Sequence, residues 1–142
     1  MILACALLLA TVPSFAFASD NSDPGFFIAT SECPTGYIEY ASENLSNFIM
    51  SLPDKIDYDD IYVGTPFSFA DADADVYYFP VFNNETLTYL YRVYPDGNTY
   101  SATISSILAD DLDQLAMLTS ANRPMYLNLV DSQIIATIGI DK

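Results

Sequence analysis

The sequence predicts a single α+β domain built on a twisted, mostly antiparallel sheet of about six strands, curled into a half-barrel and covered by two helices. Three observations predict it. Apolar residues recur at helical spacing in two separate stretches, and short runs rich in aromatic and β-branched residues stand between turn signals. The resulting order is helix, four strands, helix, two strands. The chain's 142 residues, 51% of them hydrophobic, suffice for one domain with its own core.

Met1 to Ala18 comes first: an apolar core, Pro13, and the small-x-small close Ala16-Phe17-Ala18 before Ser19. This is the pattern of a secretory signal peptide cleaved after Ala18, although no Lys or Arg precedes the apolar core. The run is short for a bilayer, broken by Pro13 and without a basic flank, which argues against a membrane anchor. The protein is therefore expected to be secreted, with no membrane association after cleavage. Cys5 leaves with the signal, so Cys33 has no partner for an intramolecular disulfide. It reads as a small residue near the domain entry.

Residues 19–34, rich in Ser, Asp and Pro around Phe26-Phe27-Ile28, read as a linker or N-terminal arm. The domain proper is expected over 35–142. Ile38, Ala41, Leu45, Phe48, Ile49 and Leu52 fall at helical spacing from Thr35 until Pro53 stops the run. An acidic connection, Asp54 to Asp60, leads to a strand over Ile61 to Phe69, in which Pro66 predicts an edge position or an irregular extension. Val76 to Phe82 and Leu87 to Tyr94 are the next strands, joined by a turn at Asn83-Asn84-Glu85. Pro95-Asp96-Gly97-Asn98 is the strongest hairpin signal in the chain, because Gly supplies a positive φ that other residues resist. Thr99 to Ile104 then alternates, with Tyr100, Ala102 and Ile104 facing the core. Ser105 or Ser106 caps a second helix with Asp110 and Asp111 in its first turns and a stripe of Leu108, Leu112, Leu115 and Leu118. Asn122-Arg123-Pro124 ends it. Met125 to Asp131 and Ile134 to Ile140 follow as two strands around a turn at Ser132-Gln133.

Composition narrows the function. There is no His, so no imidazole base, no Ser-His-Asp or Cys-His pair and no His-ligated metal. With 19 acidic against 4 basic residues and a formal charge of −15, the chain is not expected to bind nucleic acid or an anionic membrane surface. The 11 Tyr and 9 Phe read first as core and cross-strand packing. Asp71, Asp73 and Asp75 have the spacing that opens a calcium loop, but the sixth and twelfth positions, which need Gly and Glu, hold Val76 and Phe82. They remain weak calcium candidates beside the plainer reading of a solvated acidic loop that discourages edge pairing. Asp110 with Asp113, and the carboxylates of Asp57 to Asp60, are the residue type of glycosidic acid–base pairs, yet nothing in the sequence gathers them into a cleft. No catalytic residue and no cofactor is expected.

The stretches Tyr62-Val-Gly-Thr-Pro-Phe67, Tyr77-Tyr-Phe-Pro-Val81, Leu90-Tyr-Arg-Val-Tyr94, Ser101-Ala-Thr-Ile-Ser105 and Leu108-Ala-Asp-Asp-Leu112 resemble the proregion of staphopain-type secreted cysteine proteases. The resemblance spans residues 35 to 142, and its motifs are structural: strands, a Phe-Pro step and a capped helix. It implies a cystatin-like half-barrel that blocks a protease cleft, here without the protease domain. The expected function is that of a secreted, non-catalytic inhibitor of a secreted cysteine protease. The alternative is an extracellular or cell-surface binding module of unknown ligand, weakly assisted by calcium. An exposed sheet edge or a connecting loop is expected to lie across such a cleft, and the first places to look are the loops Asp54 to Asp60, Asn83 to Glu85 and Asp96 to Asn98.

Overall fold

The computed structural model describes residues 27–28, 32–53, 61–69, 75–117 and 124–138. The signal segment 1–18, most of the arm, the connection Asp54 to Asp60 and the carboxylates Asp71 and Asp73 lie outside the described residues.

The architecture is α+β, with two helices and six strands in antiparallel pairings among the described residues, as the sequence predicts. Those strands are divided between two sheets. The larger has the order β2 (Ile61–Val63), β3 (Tyr77–Asn83), β4 (Thr86–Asp96), β5 (Thr99–Ser105). The smaller has the order β1 (Phe27–Ile28), β6 (Pro124–Val130), β7 (Gln133–Ile138). Within the arm, Phe27–Ile28 thus contributes a short seventh strand, paired parallel to Pro124 and Met125.

Both faces of the larger sheet are covered, and the cause is readable in β3. Its residues Tyr77 to Phe82 are all buried, so neither side of the strand meets water. Tyr77, Phe79 and Val81 join Tyr89, Tyr91 and Val93 of β4 under α1 (Thr35–Met50), which contributes Tyr37, Ala41, Leu45 and Ile49. Tyr78 and Phe82 point the other way, with Leu87 and Leu90, toward Ala109 and Leu112 of α2 (Ile107–Met117) and toward Leu127 and Ile134 of the β6–β7 hairpin. The two helices therefore lie on opposite faces of one sheet.

Local chemistry explains where elements begin and stop. Helix α1 starts at Pro34, whose carbonyl accepts from Tyr37 N–H at 3.1 Å, and the Tyr37 hydroxyl donates to the Asp75 carbonyl at 2.7 Å, tying the helix to the entry of β3. Gly36 lies under Tyr100, whose hydroxyl would stand 2.7 Å from an added Cβ. Strand β2 ends because of Pro80. Gly64 N–H donates to the Pro80 carbonyl at 2.8 Å, but Pro80 has no N–H to return. The edge then bulges at Thr65-Pro66 before Phe67 and Tyr78 bridge again, an edge strand with an irregular extension as Pro66 predicts. Helix α2 is capped by Ser105, whose hydroxyl accepts from Leu108 N–H at 3.2 Å.

The hairpin turns are each two residues long. Gly97-Asn98 joins β4 to β5, with Gly97 at φ 62°. Asn84-Glu85 and Asp131-Ser132 each take positive φ at both positions, the pattern of a type I′ hairpin, which matches the twist of the strands it joins. The last turn thus sits one residue earlier than Ser132-Gln133, since a type I′ hairpin needs both positive-φ residues between the closing pair Val130 and Gln133.

Tyr91 is fully buried, and its hydroxyl finds no hydrogen-bond partner among the described residues. Burial, reinforced by Tyr40, raises its pKa well above the ordinary phenol value. Tyr91→Phe removes an unpaired polar atom without opening a cavity, so it is expected to stabilise the domain by about 1 kcal/mol. Urea unfolding checks this through a higher midpoint at unchanged slope.

Candidate binding surface

Among the described residues, those singled out by sequence do not converge on one site. Asp75 is exposed, and its described contact is through its backbone carbonyl. Among the described residues no group of three His, Cys, Asp or Glu is placed to hold a metal ion. Asp110 lies exposed on α2, with Asp113 half-buried on the same helix. Cys33 is half-buried against the α1 core, and desolvation pushes its thiol up to about 11, so it is protonated at neutral pH and a poor nucleophile. No helix among the described residues is long and apolar enough to cross a membrane.

The two turns expected to serve as contact loops are separated by the whole of β4. Asn84-Glu85 precedes Thr86 and Gly97-Asn98 follows Asp96, so they stand about 33 Å apart at the rise of an extended strand. They thus lie at opposite ends of that strand. Asn84-Glu85 lies at the end where β2 begins, because Ile61 pairs with Asn83, and so shares that end with the exit of the acidic connection.

A different surface emerges on the smaller sheet. β7 is its outer strand among the described residues, and it carries no charged residue and no Pro. The tight turn makes Val130 and Gln133 the hydrogen-bonded closing pair, so bonding alternates from there. Ile134 and Ala136 therefore aim their N–H and C=O groups away from β6, toward the edge that no other described strand pairs with. A groove of about 280 Å³ runs beside that edge, walled by Asp111, Gln114 and Leu115 of α2 and by Gln133, Ile134 and Ile135. On the outer face of the hairpin, Tyr126, Val130 and Ile135 are each more than two-fifths exposed. The arrangement is suited to adding an extended strand: backbone groups for pairing, a groove of mixed polar and apolar lining, and one carboxylate for a basic side chain.

Sequence reasoning favours loops over this edge. The signal that could have found it is the uncharged run Ile134 to Ile140, unusual in so acidic a chain, where charges ordinarily blunt a free edge. No protein-family model matches the chain, and no curated protein matches it.

Proposed function

We propose that the protein is a secreted, non-catalytic binding module that acts as a proregion-like inhibitor, presenting the β7 edge to the cleft of a secreted cysteine protease. The observation that carries this reading is that the uncharged β7 is the outer strand of its sheet among the described residues, beside the Asp111 groove. Clefts that cleave extended polypeptide grip it by main-chain pairing, and a strand edge offers the same groups in rigid form. A net charge of −15 steers the domain toward a basic partner and raises the association rate more than the final affinity. The sequence resemblance to staphopain-type proregions points to the same partner class.

The test is inhibition of papain-like cysteine proteases secreted by the source organism, titrated with the purified protein at low and high salt. Inhibition is expected at micromolar concentration or below, weakening as salt rises. Ala136→Pro removes an N–H that faces the open edge and spares the ladder to β6, so the variant is expected to fold yet inhibit at least about tenfold less well. Absence of inhibition across those proteases defeats the reading. A folded Ala136→Pro variant of full potency moves the contact off β7.

A further inference from the structure

Between Tyr77 and Tyr94 the strands carry one charged side chain, Arg92. It faces the α2 side of the larger sheet, where the guanidinium carbon lies 4.8 Å from the centroid of the Tyr94 ring. It also stands against the Tyr78 hydroxyl: burial raises that phenol's pKa, and the guanidinium lowers it again by its charge and by a hydrogen bond. Arg92 is half-buried, and its Nε is buried with no acceptor among the described residues. In a chain with 19 carboxylates, the partners of this cation among the described residues are thus an aromatic ring and a phenol, neither of them an anion. Holding a guanidinium partly out of water with a donor unmet costs free energy that an internal ion pair would offset.

A cleft of about 420 Å³ opens beside it. Arg92, Thr103 and Ser105 line it from the larger sheet, Ile107 from the start of α2, and Leu129 and Ser132 from the β6–β7 hairpin. Ile107 is 73% exposed, an uncovered aliphatic side chain at the cleft's rim. The volume is in the range of small-ligand pockets, and a few polar groups on an otherwise apolar wall are what such pockets use to orient a ligand.

We infer that this cleft binds a monocarboxylate that carries an apolar group. The carboxylate meets the guanidinium and the cleft hydroxyls, and the apolar part lies against Ile107 and Leu129. Arginine suits this role because its planar fork matches a carboxylate and its charge persists at any physiological pH. A single negative charge fits better than a phosphate dianion, since the rest of the domain repels anions and much of the cleft wall is apolar. This inference does not rest on the inhibitor reading; it concerns another surface and another ligand.

Calorimetry and thermal unfolding of the full chain test it, with hexanoate, 3-phenylpropionate and an N-acetyl dipeptide acid ending in Leu as probes, each beside its amide. The first two represent free carboxylic acids and the third a peptide C-terminus, so their ranking separates the two sources of one chemistry. Each acid that binds is expected to do so at least about tenfold more tightly than its amide. Arg92→Gln is expected to abolish that preference, and Arg92→Lys to restore part of it. Should Arg92→Gln fail to fold, Ile107→Asp at the exposed rim repels the carboxylate without touching the core and is expected to lose binding in the same way. Equal binding of acids and amides, no heat or thermal shift at millimolar probe, or unchanged binding in a folded Arg92→Gln variant overturns the inference.

Discussion

Phe79→Ala is expected to destabilise the domain by about 3–5 kcal/mol, comparable to much of the stability of a domain this size. Phe79 is fully buried in the middle of β3, between β2 and β4, and its ring meets Tyr91 edge-on at 6.5 Å. Tyr91 in turn packs against Phe48 of α1 at 5.5 Å. Removing the ring opens a cavity bounded by strands whose opposite faces are also packed, so the backbone has little freedom to collapse into it. Urea unfolding should show one transition at a much lower midpoint. A loss below about 1 kcal/mol would mean that α1 does not depend on this face.

Leu112→Ala is expected to cost about 2–5 kcal/mol and to act unevenly. Leu112 and Ala109 are fully buried residues of α2 and share a cluster with Leu127 and Ile134 of the hairpin. A small sheet of three short strands is marginal without a partner face, and α2 with the second face of the larger sheet is that partner. The α1 side keeps its own separate cluster. Hydrogen exchange is therefore expected to show β6 and β7 amides losing protection first, with β3 and β4 amides retaining more of theirs. Uniform loss along the chain would show instead that the two clusters unfold as one unit.

The same contrast explains what is readable without a structure. Thr99 to Ile104 alternates visibly, and in the structure Tyr100, Ala102 and Ile104 pack against the α1 cluster as that alternation predicts. The stripe of α1, the Ser105 cap and the Gly97 turn are equally legible, because each is specified by residues a few positions apart. The run Tyr77 to Phe82 is legible as a strand but not as one buried on both sides: a continuous apolar stretch states burial without stating by what. Phe27–Ile28 is not legible as a strand, because two residues carry no periodicity and their pairing partner is at the far end of the chain. The candidate surfaces are the least legible. Arg92 stands out in sequence as the sole charge between Tyr77 and Phe82 and between Leu87 and Tyr94, yet only the fold places it at a cleft. The uncharged β7 likewise becomes an edge only once its position in the sheet is known.

The α+β class, the order of the elements, most of their limits and the apolar faces of both helices follow from the amino-acid sequence without further information. The division into two sheets, the placement of the helices on opposite faces and the parallel pairing of β1 with β6 emerge only when the chain is folded. So do the position of β7 at the edge of its sheet and the placement of Arg92 beside a cleft. The difference is one of range. Dihedral preference, capping and periodicity are settled within a turn or two of chain, whereas pairing and burial depend on which distant segments complete one another's hydrogen bonds and cover one another's apolar surface.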